Sequence, residues 1–321
     1  MSNPRRALES AERLWLIVRE MRLETDDVMR IRFSAPDRSP LPAWEPGAHI
    51  DIAFANGVER QYSLCGDPAD SSEWQIAVLR EPVSRGASRF IHDKLRPGDR
   101  VAVSAPRNNF CLEPGEKTIF IAGGIVITPL LPMIRQTRAE GRDWRLLYLG
   151  KARERMAFVE AVEGGAATIA CSTFGGRMDI FDWIGLVDTG TRIYACGPQS
   201  MLDALEERSA VWPKGALRIE RFQAKNFVDL HDSKEFEVVA QRSGLSVIVS
   251  PGCSILQMLE EAGLPVPSSC LEGVCGTCET AIIDGEAEHR DSILSADERE
   301  TNETMMICIS RSKTPRLVLD I

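Results

Sequence analysis

The stretch SSCLEGVCGTCET, residues 268–280, carries Cys270, Cys275 and Cys278 at the spacing C-x4-C-x2-C, and 29 residues separate Cys278 from Cys308 in MMICIS. This is the plant-type spacing of four thiolates around a 2Fe-2S cluster. Each iron takes two thiolates, so a loop supplying three and a distant strand supplying the fourth is a workable geometry. Gly273 and Gly276 allow tight turns in which main-chain N–H groups can face the cluster sulfides. Other uses fit less well. Zinc sites pair two clips of Cys or His, and no second clip exists here. A thioredoxin-like CGTC pair leaves Cys270 and Cys308 without a purpose. Cys65, Cys111, Cys171 and Cys253 read as small buried hydrophobes.

The 321 residues allow two or three domains. MSNPRRALESAERL holds no apolar leader core, and no apolar run approaches the roughly 18 residues that cross a bilayer. A cytoplasmic protein is expected, where disulfides are disfavoured. The net charge of −9 argues against nucleic acid as a partner, because a phosphate-binding face needs a basic surplus. Residues 233–321 hold 7 Lys/Arg against 15 Asp/Glu, so the excess lies almost wholly there. It reads either as a solvated surface or as an acidic docking face for a basic partner, with Glu286 and Glu288 as expected contributors.

Periodicity divides the chain in three. Over 1–113, six short β-rich runs broken by Pro/Gly/Asp turns predict a small antiparallel β-barrel. Over 114–224 strands alternate with helices, PLLPMIRQTRAEG, ERMAFVEAVE and SMLDALEERSAVW being helical, which predicts a doubly wound parallel sheet. QAKNFVDLHDSKE reads as a linker. In 233–321, FEVVAQRSGLSVIVS reads as two strands, and SILQMLEEAG as an amphipathic helix with a Ser cap and a Gly stop.

Read alone, RQYSL (60–64) is an arginine on a barrel strand, YACGP (194–198) holds a structural cysteine, and Phe222 is a core aromatic. IFIAGGIVITP is a strand running into a Gly turn and a helix, a place suited to a pyrophosphate, although it is not GxGxxG. Together with RGAS (85–88) and the C-terminal cysteines, these motifs stand in the order of the phthalate dioxygenase reductase family, which the whole chain resembles. That family comprises FMN- and 2Fe-2S-containing NADH reductases of Rieske-type oxygenases, vanillate demethylase-type reductases among them.

The resemblance implies a flavin barrel, a nucleotide domain and a C-terminal β-grasp ferredoxin domain. It implies that Arg60 meets the FMN phosphate and that Tyr62 and Ser63 line the isoalloxazine. A fixed guanidinium suits a phosphate dianion, and Gly86, Ala87 and Ser88 can offer N–H and hydroxyl donors to it. Gly123, Gly124, Thr128, Pro129, Gly197 and Pro198 are implied for NADH, with Cys196 near the nicotinamide carbon that gives up hydride. Phe222 matches the aromatic that closes over the flavin. Val126 stands where the family pattern has a third glycine, and its branched side chain is expected to crowd NADH or the flavin. Lys151, Arg153 and Arg155 suit either a 2′-phosphate or the adenosine of NADH, and the resemblance favours NADH. Electrons are then expected to run from NADH through FMN and the cluster to an oxygenase partner. The alternative is a self-sufficient reductase of small or cytochrome acceptors.

Overall fold

The computed structural model describes residues 13–54, 58–82, 86–175, 178–222 and 234–321. All but the last two residues of the expected linker at 223–235, together with Arg85 and the first 12 residues, lie outside these. The chain divides into two units, Met1–Glu220 and Arg221–Ile321.

The first unit opens with β1 (Leu14–Thr25), β2 (Val28–Ser34), β3 (His49–Ala53), β4 (Glu59–Ser63), β5 (Trp74–Leu79), α1 (Ala87–Asp93) and β6 (Arg100–Val103). The six strands form one antiparallel sheet, β4-β3-β6-β1-β2-β5. Alternation sets its faces: Leu16 and Val18 are buried while Trp15 between them is exposed. Just past β4, Cys65 N–H donates to Gln75 O at 2.8 Å, tying the two edges together as a barrel requires.

There follow β7 (Lys117–Gly123), α2 (Leu130–Ala139), β8 (Asp143–Gly150), α3 (Val159–Val162), β9 (Ala167–Cys171), α4 (Ser172–Gly175), α5 (Ile180–Ile184), β10 (Thr191–Cys196), α6 (Gln199–Ser209) and β11 (Leu217–Glu220). These strands are all parallel, in the order β11-β10-β7-β8-β9. The chain starts mid-sheet and winds outward both ways, so strand order reverses between β7 and β10, the place where doubly wound sheets bind ligands. Both faces are covered, which is why Ile119, Phe120, Ile121 and Ala122 are all buried. The stretch expected as a helix at ERMAFVEAVE gives only the four residues of α3, because Phe158 takes a left-handed backbone, φ 62°. The two sheets share a core: Val28, Cys65 and Ala77 of the barrel pack in one cluster with Phe120, Leu130 and Tyr148.

The second unit contains β12 (Phe236–Ala240), β13 (Leu245–Val249), α7 (Ile255–Glu261), β14 (Glu279–Asp284), β15 (Ala287–Glu288), α8 (Ala296–Thr301), β16 (Thr304–Met306), β17 (Arg311–Ser312) and β18 (Arg316–Leu319). Its mixed sheet runs β13-β12-β18-β14-β16, with β12 and β18 parallel, and β15-β17 forms a separate ribbon. Ser254 caps α7 by accepting from Gln257 N–H at 3.1 Å, and Ile255, Leu256 and Leu259 bury its apolar stripe in the same cluster as the sheet. A capping box of Ser295 and Glu298 starts α8.

Candidate functional site

The cysteine loop runs from α7 into β14. Leu271, Gly273 and Gly276 take positive φ (59°, 67° and 75°), which folds the loop tightly enough to turn its sulfurs inward. A Cβ on Gly273 would lie 2.6 Å from Ile309 Cγ2 and 3.0 Å from Asp291 Cα, so only glycine lets the loop press against the segment that carries Cys308. Hydrogen bonds link the Cys270 thiol to those of Cys275 and Cys308, and link Cys278 to Cys308, so all four sulfurs are brought together. Glu272 and Val274 N–H groups donate to Cys270 Sγ at 3.3 and 3.4 Å. The Cys275 and Cys308 thiols, aided by those N–H groups, hold Cys270 well below the usual thiol range. Cys275, Cys278 and Cys308 are buried and Cys270 half-buried.

Among the described residues, no three His, Cys, Asp or Glu side chains surround one point as ligands of a single ion. The sulfurs instead form a chain of pairs. Four thiols with backbone N–H donors aimed at sulfur are a donor set that fits two irons with two thiolates each.

Buried Asp291 shapes the turn against which this loop packs, a role not anticipated from the sequence. Its Oδ2 accepts from Ile293 and Leu294 N–H at 3.1 and 2.8 Å and faces Arg299 at 3.6 Å, while Ser292 N–H donates to Gly273 O at 2.9 Å. The Asp-Ser pair in HRDSIL is a turn signal that sequence reasoning could have found; the burial is not readable from it.

A cleft of about 1170 Å³ opens at the C-terminal ends of β7, β8, β9 and β10, and Gly123, Gly124 and Pro198 line it. A Cβ on Gly197 would lie 3.5 Å from Gly123 Cα, so the two turns meet glycine to glycine. Thr128 and Pro129 lead into α2, buried and outside the lining. Val126 also lies outside it and packs against the shared apolar cluster, so the crowding expected of its side chain does not fall on this cleft.

Cys196, at the end of β10, is fully buried and donates to Glu220 O at 3.2 Å. Burial pushes its thiol well up, so it is a neutral group there and no nucleophile. Its register partner Glu220 was not anticipated. That residue is half-buried, but its Oε2 is enclosed without a hydrogen bond among the described residues, and burial pushes the carboxyl up to about 8.

Arg60, Tyr62 and Ser63 all stand on β4. Arg60 and Tyr62 lie opposite Ile52 and Ile50 on one face, whereas Ser63 lies opposite His49 on the other. Arg60 donates to Glu59 O at 2.6 Å and forms no ion pair among the described residues. The buried Ser63 hydroxyl and both buried His49 ring nitrogens lack hydrogen-bond partners among the described residues. Burial pushes His49 down to about 3, so it is neutral. Gly86, with φ 113°, leads into α1, and buried Ser88 Oγ accepts from Glu81 N–H at 3.3 Å. None of Arg60, Tyr62, Ser63 and Gly86–Ser88 lines the nucleotide cleft, but Leu79, Arg80 and Pro82 just before α1 do. Phe222 follows β11 and is 36% exposed.

Cations and acids differ from the expectation in detail. Arg153 pairs with Glu163 at 2.6 Å and Arg155 with Asp27 at 2.5 Å. Glu286 pairs with Lys313 and Glu288 with Arg290, at 2.6 and 2.7 Å. Cys111, expected to be buried, is exposed because it lies on a loop rather than a strand.

An antiparallel barrel, a doubly wound sheet with its cleft at the switch point, and a four-cysteine domain define an iron–sulfur oxidoreductase. Residues 238–313 match the 2Fe-2S iron-sulfur cluster binding domain family. The chain is 39% identical over 303 residues to phthalate dioxygenase reductase of Burkholderia cepacia, covering 92% of this chain and 93% of that one. It belongs to the phthalate dioxygenase reductase family.

A solved phthalate dioxygenase reductase, described as a modular structure for electron transfer from pyridine nucleotides to 2Fe-2S, matches with a TM-score of 0.71 at 36% identity, covering 100% of both chains. An intact type IV self-sufficient cytochrome P450 monooxygenase matches with a TM-score of 0.90 at 39% identity, covering 96% of this chain. The chain spans 41% of that protein's length. No helix among the described residues is long and apolar enough to cross a membrane.

Proposed function

We propose that this chain is the reductase component of a Rieske-type oxygenase system, taking electrons from NADH through FMN and a 2Fe-2S cluster to the oxygenase. The convergence of Cys270, Cys275 and Cys278 on one loop with Cys308 from the segment after β16 carries this reading, because it supplies a one-electron centre in a chain that also holds a nucleotide-binding fold. Bound FMN and cluster supply the redox chemistry, converting a two-electron hydride donor into single-electron delivery.

The chain's own residues bind and orient. Arg60 would hold the FMN phosphate, with donors from Gly86, Ala87 and Ser88. Ser63, whose hydroxyl lacks a partner among the described residues, and Tyr62 would meet the ring system. The glycine turns at Gly123, Gly124 and Gly197 let the dinucleotide approach the backbone, and Pro198 starts α6 beside them. Cys196, kept neutral, would add no charge near the nicotinamide, and Phe222 would serve as an aromatic partner of the flavin. Hydride transfer then depends on positioning rather than on an acid or base.

Two cations that could have received a 2′-phosphate, Arg153 and Arg155, are already paired, which favours NADH. The likeness to a self-sufficient P450 supports a second reading, delivery to a haem protein. Stopped-flow reduction of the flavin by NADH, followed by mixing with a Rieske oxygenase or a P450 haem domain, separates the two. Fast transfer to the Rieske centre is expected; transfer to haem alone would replace the first reading by the second.

A further inference from the structure

The charges lining the nucleotide cleft are unequally committed. Arg155 follows β8, but its Nη2 lies 2.5 Å from Asp27 Oδ2. Asp27 arrives from the barrel, on the turn between β1 and β2, where Thr25 Oγ1 donates to its Oδ1 at 2.9 Å. Burial alone would raise the Asp27 carboxyl, but the Arg155 and Thr25 hydrogen bonds and the Arg155 charge outweigh it and hold the group below the usual range. Asp26 lines the cleft beside it and acts on the same guanidinium. Arg80, also in the lining, is held by Asp93 at 2.9 Å. Of the lining cations, Lys151 alone has no ion pair among the described residues.

The position of these groups gives them a consequence. In doubly wound sheets, residues past the second strand read the adenosine ribose: an acid bonds a free 2′-hydroxyl, whereas an arginine accommodates a 2′-phosphate. Strand β8 is the second strand here, and Lys151 to Arg155 follow it. A 2′-phosphate brings close to two negative charges near neutral pH. It would meet one ammonium without an ion pair among the described residues, two arginines already paired, and the carboxylates of Asp26 and Asp27.

Resting on the nicotinamide reading of this cleft, we propose that Asp27 sets the coenzyme choice by occupying Arg155, so that a 2′-phosphate is refused and NADH is used over NADPH. The probes are 5′-AMP and 2′,5′-ADP, which differ only in that phosphate, titrated calorimetrically into the full flavin-loaded chain. In Asp27→Asn the affinity ratio of 2′,5′-ADP to 5′-AMP should rise about tenfold, as expected of a freed guanidinium taking a phosphate. In Asp27→Asn/Arg155→Ala the ratio should return to near that of the wild type. An unchanged ratio in the single variant overturns the proposal, as does a rise that survives loss of Arg155. Asp27→Ser gives the same comparison where Asp27→Asn lowers the yield of folded protein. Failure of the wild type to bind both 5′-AMP and NADH would sink the nucleotide assignment of the cleft, and the proposal with it.

Discussion

A Cβ on Gly123 would lie 2.5 Å from Cδ of Pro198, with Gly197 Cα 3.1 Å away. The turns that end β7 and β10 are thus pressed together at the switch point of the nucleotide sheet. Neither neighbour can swing aside, since one is a ring and the other is backbone. Gly123→Ala should force the turns apart, costing about 1–3 kcal/mol as overpacking does, and should weaken NADH binding. Gly124→Ala isolates the other role of glycine: nothing lies within 4 Å of its Cβ, but its φ is +73°. Its cost should be about 1–2 kcal/mol, from the backbone alone. Thermal denaturation and NADH titration check both.

Glu220 makes stability depend on pH. Its carboxyl titrates at about 8 in the fold, against 4.5 for an unperturbed glutamate. Between those values the folded protein holds a proton that the unfolded chain has released, so this residue's contribution is fully present below about 4.5 and is lost as pH rises through about 8. Glu220→Gln should flatten that decline. Urea midpoints measured across the window would show it, and an unchanged slope would assign the dependence elsewhere.

Cys275→Ser should remove the cluster without removing the flavin. Iron should fall from about two per chain to background, and the paramagnetic signal of the reduced cluster should vanish. Flavin reduction by NADH should continue, because the residues proposed to hold flavin and dinucleotide, Phe222 apart, lie in Met1–Glu220 and the four cysteines in Arg221–Ile321. Equal loss of both activities would contradict separate centres.

Val126→Gly tests where that side chain acts. Packed against the shared apolar cluster, it should lose about 1–3 kcal/mol of stability on truncation, from the cavity and from glycine's freedom. NADH affinity should not improve. A gain in affinity by direct titration would instead place the valine against the nucleotide.

Salt should slow electron delivery to the oxygenase more than it slows flavin reduction, because an acidic domain attracts a basic partner through a screened field. Reversing Glu286 or Glu288 should change this little, since Lys313 and Arg290 already compensate them. Glu300 is exposed and has no ion pair among the described residues, so Glu300→Lys should lower the rate more. Stopped-flow rates over a range of ionic strength distinguish these effects.

Some of this was readable along the chain because it is local. The loop spacing of Cys270, Cys275 and Cys278 is set by how far a short turn can reach, and a run such as Ile119–Ala122 reports a strand covered on both faces. The Ser254 cap and the apolar stripe of α7 are equally local. Phe158 shows where that legibility ends: within a helix-like pattern, the helix starts only after a left-handed residue that no periodicity announces.

The sequence by itself determined the cysteine spacing, the order of antiparallel sheet, parallel sheet and four-cysteine domain, and the glycine turns, all features written in spacing and period. Only the tertiary structure decided which charges are free. Asp27 and Arg155 are 128 residues apart and meet because two lobes pack on one core. Glu220 and Cys196 are neutral because neighbouring strands bury them together. Charge state depends on solvent exclusion and on partners in space, and neither is a property of the local chain.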